Sequence, residues 1–332
     1  MVLPVLPEQL AMLTHSEATI FMAHRFNAPA LGISGHNPQN LRHILAQLRR
    51  RRYELISIAE LFRRLRNGEE LKRAVAFTID DGYSDAGLVA APIFAEFDCP
   101  LTVFAVTDFL DGQMWFWMDK IAYIFTQTKR RELSARLGNE QVQFSLESGA
   151  GRAGWRALVD RCYRAPKADR LACIKELSRT AEVELPSQPP ESFRALTWDE
   201  ARALENRGVT FGPHTVTHPI LSALPAEESE REIAGSWRHL RSQLSNPVPV
   251  FCYPGGRSHD FSEREVAVMT RTGLWGAVTG EPGNLRSGLS RDATDQWYRL
   301  PRYLYQDTLT GVLQCVSGIE RIKTQLRGAS AS

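Results

Sequence analysis

Short apolar runs alternating with amphipathic stretches constrain this chain more than any other feature. Runs at 18–23, 74–79, 101–106, 209–212, 250–253 and 276–279 read as strands, and stretches at 40–52, 58–66, 85–97, 198–207, 226–244 and 262–272 read as helices. That alternation predicts an α/β architecture on parallel strands. At 332 residues the chain suits one barrel-sized domain with an insertion, or two modest domains. The rhythm breaks after about Leu110. An aromatic cluster, Met114-Trp115-Phe116-Trp117, opens the break, charged amphipathic sequence (KRRELSARL, ADRLACIKELSRTAEV) fills it, and SQPPES closes it. It reads as a mostly helical insertion at 111–192 in a domain formed by 1–110 and 193–315, with a tail at 316–332.

One apolar run, AVAFTI, ends in two adjacent carboxylates, Asp80 and Asp81. Such a pair is costly to bury unless a cation or hydrogen-bond donors hold it. Further on, His214-Thr215-Val216-Thr217-His218 carries two imidazoles four residues apart, which a helical turn would project from one side. Two histidines and one aspartate make an open metal site, which leaves a coordination position for water as catalytic zinc does. Asp80, His214 and Pro254 all fall where a strand gives way to its loop, the end of an α/β barrel that carries active sites.

Composition narrows the function classes. The net charge of +2, from 40 basic and 38 acidic residues, gives no global field for nucleic acid. The run Arg49-Arg50-Arg51-Arg52 reads as the solvated end of a helix, with peripheral contact to an anionic membrane as the alternative. Five scattered cysteines without a CxxC pair argue against a disulfide framework and suit a reducing compartment. The first residues lack the basic and long apolar regions of a secretory signal, and no stretch reaches the ~18 apolar residues of a spanning helix. The expectation is a soluble, cytoplasmic protein.

Thr78-Ile79-Asp80-Asp81-Gly82-Tyr83-Ser84-Asp85 resembles the TFDDGYxD motif of the polysaccharide deacetylases of carbohydrate esterase family 4, the NodB homology domain. His214 to His218 resembles that family's H(S/T)xxH motif, and Phe251-Cys252-Tyr253-Pro254-Gly255-Gly256 sits where its RxP(F/Y)G motif belongs. The similarity spans roughly residues 18 to 305, interrupted by the insertion. It implies a deformed (β/α) barrel of about seven strands. It further implies Asp80 as catalytic base and Asp81, His214 and His218 as ligands of a divalent metal. Zinc is the first expectation, and cobalt, nickel or iron also suit two histidines and an aspartate. The implied activity is N-deacetylation of sugars in polysaccharide or glycolipid metabolism, on an N-acetylated glycan or a lipid-linked sugar. An amide is a poor electrophile, so that reaction needs a Lewis acid, a base and an acid for the departing amine.

The chain departs from the commonest family pattern at three places. Cys252 stands where the motif has its arginine, Gly255 replaces the aromatic, and Leu300-Pro301-Arg302-Tyr303 occupies the region where the catalytic histidine is usual. However, Met22-Ala23-His24-Arg25 resembles the (Y/M)xH(R/D) segment of the exopolysaccharide branch, whose acid histidine comes from the N-terminal side. The expectation is therefore His24 as general acid. Arg302 or Arg257 is expected to replace the missing arginine beside the base, since a nearby cation lowers a carboxylate's pKa.

Around this set, Tyr83, Tyr253, Pro254 and Gly255 are candidates to line the substrate site, with backbone N–H groups near 253–256 offered to an oxyanion. Asp85 reads as an N-cap for the next helix, and His259 and Asp260 as capping residues before 262. Trp115 and Trp117 read as anchors of the insertion, with sugar stacking as the alternative. The rival functions are a deformylase or other C–N hydrolase on a non-polymer substrate, and an inactive carbohydrate-binding protein that keeps the barrel.

Overall fold

The structure, a computed structural model, describes residues 17–71, 73–146, 150–286 and 294–319. The expectations for the first residues, and for the tail beyond 319, lie outside the described residues. The chain divides into two compact units, Met1–Gln113 with Arg194–Ser332, and Met114–Phe193. Among the described residues no helix is long and apolar enough to cross a membrane.

The first unit opens with β1 (Glu17–Ala23), α1 (Pro38–Arg50), β2 (Glu54–Leu55), α2 (Ile58–Asn67), β3 (Ala74–Ile79), α3 (Ala91–Glu96), β4 (Leu101–Ala105) and α4 (Thr107–Leu110). Local chemistry sets these boundaries. Ser57 accepts from Glu60 N–H to start α2, and Gly68 ends it with φ 69°. Between those caps, Ile58, Leu61, Phe62 and Leu65 face the core at helical spacing. The arginine run closes α1, where cations suit the helix C-terminus, and Arg49 donates to the carbonyls of Phe97 and Asp98.

The second unit holds α5 (Trp117–Gln127), β5 (Glu132–Leu137), β6 (Glu140–Ser145), α6 (Ala150–Arg164) and α7 (Lys167–Thr180). It is mostly helical, but the segment KRRELSARL is not. Its Leu133 and Ala135 alternate inward with period two, and the segment forms β5 of an antiparallel hairpin with β6. Ile121, Ile124, Leu133, Val142, Leu158 and Leu177 give this unit its own core. Trp115 packs against Tyr123 and Phe193, and Trp117 against Tyr163 under Arg170, so both rings serve packing within the unit.

The first unit then continues with α8 (Trp198–Glu205), β7 (Thr210–Pro213), α9 (Ala226–Gln243), β8 (Val250–Cys252), α10 (Glu263–Arg271), β9 (Gly276–Val278), β10 (Leu285–Arg286), α11 (Thr294–Trp297), β11 (Tyr303–Leu304) and α12 (Leu309–Val316). Parallel ladders run from β11 through β1, β3 and β4 to β7, and β8 pairs with β9. Single contacts close the remaining gaps: Val248 N–H donates to Phe211 O, and Val278 bridges to Leu300. The result is the expected deformed barrel. Registers align the strand ends, with Ala23 opposite Ile79 and Ala105 opposite Pro213. The residues that follow each strand therefore emerge at one rim.

Gly212 lets β7 close on its neighbours. A Cβ there would lie 2.6 Å from the Phe104 ring and 2.8 Å from Val250 O. Gly212→Ala should therefore lower unfolding free energy by about 1–3 kcal/mol through overpacking. A chemical denaturation curve with a lower midpoint and unchanged slope is the expected result, and an unchanged midpoint would contradict this packing.

Candidate active site

Strand register, not sequence distance, assembles the site. Asp80 follows β3 and donates its N–H to Ala23 O, which sets His24 beside it at the end of β1. His214 follows β7 and donates its N–H to Ala105 O. Asp81 takes φ 77°, a left-handed conformation in which aspartate is enriched. That turn separates the two neighbouring carboxylates, so each meets different partners.

Asp80 meets Arg302. The guanidinium donates from Nη1 to Oδ1 at 2.7 Å and from Nη2 to Oδ2 at 2.8 Å, a two-pronged pair with Asp80 3% and Arg302 1% exposed. Arg302 is itself fixed by Thr279 O and Thr78 Oγ1, each at 2.9 Å. Burial would push the Asp80 carboxyl up, but Arg302 outweighs it and holds the group below the ordinary carboxylate range. Cys252, where the family motif has arginine, touches both partners: its Sγ lies 3.1 Å from Arg302 Nη2 and 3.5 Å from Asp80 Oδ2. Burial pushes the Cys252 thiol up, which leaves it protonated and able to donate to Asp80. Arg257 is exposed, and its backbone N–H goes to Asp260, so the cation at Asp80 comes from Arg302.

Asp81 meets the histidines. His214 Nε2 and His218 Nε2 each lie 3.5 Å from Asp81 Oδ1. His214 Nδ1 lies 2.8 Å from Cys252 O, and a carbonyl only accepts, so Nδ1 carries a proton and Nε2 faces Asp81. Against burial, Cys252, Asp81 and Asp80 hold this imidazole's pKa well above its ordinary value. Burial drives His218 down to about 4, so it is neutral at neutral pH. Against burial, the histidines hold Asp81 well below the carboxylate range. Two imidazole nitrogens converging on a carboxylate fit a divalent cation, which would take the place of the proton on His214 Nε2. A second cluster, Asp80, His214 and Cys252, fits one poorly, because Arg302 already neutralises Asp80 and the thiol is protonated.

The histidine pair does not use a helix. Residues 214–218 form a loop in which Thr215 and His218 have φ 67° and 60°, conformations that lone turn residues adopt and helices do not. Thr215 Oγ1 accepts from His218 N–H at 2.9 Å. Glu232 on α9 closes the loop from outside, with Oε2 accepting from the N–H groups of Val216 and Thr217 and Oε1 from Thr217 Oγ1. Nothing in AEESEREIAG distinguishes Glu232 from the glutamates around it.

Other expected residues are placed differently. Tyr83, expected at the substrate, is 3% exposed, with Arg25 3.9 Å above its ring and Phe109 at its edge. Asp85 makes no side-chain cap; it accepts from Phe26 N–H at 2.5 Å and Arg25 Nε at 2.9 Å. Ser262, not His259 or Asp260, caps α10; the His259 side chain is 73% exposed, and Asp260 braces the turn at Arg257. Tyr253 stacks on Phe261 at 3.7 Å, and its N–H donates to Val278 O. Gly256 N–H donates to Pro254 O, and proline has no N–H, which leaves Gly255 as the turn's candidate oxyanion donor. His24 is partly exposed and lies close enough to Asp80, Asp81 and His218 to influence all three.

Removing the loop's outside brace should loosen the histidines more than the fold. Glu232→Ala should weaken divalent-metal affinity about 10- to 100-fold, as loss of a supporting partner of ligands does. Chelator competition reads this directly, and unchanged affinity would show that the loop holds its shape without Glu232.

The polysaccharide deacetylase family model matches residues 67–274, a span that contains Asp80, Asp81, His214, His218 and Cys252 but neither His24 nor Arg302. Among solved structures, the deacetylase PplD of Streptococcus pyogenes, in complex with acetate, aligns with a TM-score of 0.57 at 18% identity over 90% of this chain and 98% of that one. IcaB from Ammonifex degensii aligns with a TM-score of 0.56 at 14% identity over 91% and 97%. Identities this low carry the fold alone. A curated relative, YxkH of Bacillus subtilis (strain 168), which bears a polysaccharide deacetylase name, is 26% identical over 88 residues; the match spans 26% of this chain and 30% of that protein. With the family model covering more than half of it, the chain belongs to the polysaccharide deacetylase family, hydrolases that act on carbon–nitrogen bonds other than peptide bonds.

Proposed function

We propose that the chain is a divalent-metal-dependent N-deacetylase that removes acetyl groups from N-acetylated sugars. The observation that carries this reading is the division of the two adjacent carboxylates: Asp80 is paired with Arg302, while Asp81 faces two imidazole nitrogens. Asp81, His214 and His218 would hold the metal, zinc in the first instance. When bound, it would supply Lewis acidity toward the acetyl carbonyl and lower the pKa of water.

The chain's own groups supply the rest. Asp80 is kept ionised by Arg302 and accepts a proton from the attacking water, and the two-pronged contact fixes the direction in which its oxygens point. Arg302 also makes Asp80 a weaker base than an unpaired carboxylate, so the pair trades basicity for constant ionisation and orientation. Gly255 N–H is the turn's donor to the developing oxyanion. His24, beside Asp80 at the same rim, gives a proton to the departing amine. The His24 segment favours the exopolysaccharide branch, with a glycan or a lipid-linked N-acetylated sugar as substrate.

The deciving experiment is acetate release from β-1,6-linked N-acetylglucosamine oligomers and chitooligosaccharides by the zinc-loaded protein. Asp80→Asn and His24→Ala should each lower turnover about 10²- to 10⁴-fold. No acetate from protein with metal bound would overturn the reading. Arg302→Met should remove the effect that outweighs burial, so the Asp80 pKa rises and the acidic limb of kcat/KM moves to higher pH. It should also cost about 3–5 kcal/mol of stability, because an unpaired buried carboxylate remains. In the wild type the Asp80 pKa is depressed by folding, so the pair's stabilisation is present above the ordinary carboxylate value of about 4 and is lost as pH falls through the lowered one. Denaturation curves across that range check the sign.

A further inference from the structure

Asp85 lies at the far end of the loop that begins with Asp80 and Asp81, and the site described so far leaves it without a role. Its side chain is fully buried, yet it caps no helix. Instead the carboxylate crosses to the segment after β1, where Oδ2 accepts from Phe26 N–H at 2.5 Å and Oδ1 from Arg25 Nε at 2.9 Å. Arg25 in turn lies over Tyr83, 3.9 Å from the ring centre, and Tyr83 belongs to the same loop as Asp85. The other side of the segment is tied by backbone: His36 N–H donates to Arg25 O, and Asn27 N–H to His36 O. Gly35 packs so closely there that a Cβ would come 2.3 Å from Arg25 O. His24 thus sits between two fixed points, Ala23 O bonded to Asp80 N–H and Phe26 N–H bonded to Asp85.

We propose that Asp85 is a positioning residue that, through Phe26 N–H and Arg25, sets the orientation of His24 toward the departing amine. This role rests on the reading of His24 as the general acid. One loop then carries the base at its start and the brace for the acid at its end, so the distance between base and acid is fixed by a single piece of chain. A buried carboxylate suits the task because its bonds to an N–H and a guanidinium are charge-assisted and directional.

The test separates orientation of the acid from general damage by changing the leaving group. An amine must be protonated as it departs, whereas the phenolate of 4-nitrophenyl acetate leaves without a proton. The zinc-loaded wild type, Asp85→Asn, Arg25→Gln and His24→Ala are assayed on N-acetylglucosamine oligomers and on 4-nitrophenyl acetate. Asp85→Asn should lose about 10- to 100-fold in kcat on the amide with KM little changed, and keep ester turnover within about threefold. Arg25→Gln, which removes one of the two bonds at a partly exposed side chain, should show a smaller loss with the same selectivity, and stands in if Asp85→Asn does not fold. His24→Ala should show that selectivity most strongly. A folded Asp85→Asn with full amide turnover, or with equal losses on both substrates, would overturn the positioning role while His24→Ala still marked the acid. If His24→Ala lost both activities equally, the acid reading itself would fall, and the positioning role with it.

Discussion

The buried pair between Asp80 and Arg302 is the interaction on which the rest of the site depends. Two adjacent carboxylates at the end of an apolar strand cannot both be left to a metal. One must find a fixed cation, or it would be protonated in the low dielectric and could not serve the base role proposed for it. Arg302 supplies that cation from the approach to β11, and is itself held by Thr78, Thr279 and Cys252. With Asp80 neutralised in this way, Asp81 is free to turn toward His214 and His218.

Cys252 shows how a motif position can lose its usual residue without losing the electrostatics. The place of the motif arginine is taken by a thiol small enough to let a guanidinium reach Asp80 from the segment before β11, and close enough to contact both members of the pair. The same residue's carbonyl fixes the His214 proton on Nδ1. One position thereby supports both the proposed base and a candidate ligand, a coupling that spacing along the chain does not reveal.

The loops around the rim share a design in which a carboxylate stabilises the backbone of a neighbouring loop. Glu232 does this for the histidine loop and Asp85 for the segment beyond His24, while Asp260 braces its own turn at Arg257. Each carboxylate accepts from backbone N–H groups that turns leave without helix or strand partners. This is how loops with left-handed residues such as Asp81, Thr215 and His218 keep a definite shape.

Much of the fold was legible because it depends on local pattern. Apolar runs and helical periodicity gave the barrel strands and flanking helices; KRRELSARL was misread because its alternation is short and its charges also suit a helix. The donor set Asp80, Asp81, His214 and His218 was legible because those residue types have few other reasons to sit at strand ends. Arg302 was one of two candidates named for Asp80, and only the choice between it and Arg257 stayed open; what remained hidden were other partners, since Arg25 lies 60 residues from Asp85 and Glu232 lies on a helix face crowded with similar residues. Sequence by itself determined the α/β class and the chemical types gathered for the reaction. Only the tertiary structure decided that Arg302 and not Arg257 meets Asp80, that the histidine pair sits on a loop and not a helix, and that Glu232 and Asp85 brace the neighbouring segments, because those contacts are set by strand register and by loops crossing between neighbouring strands.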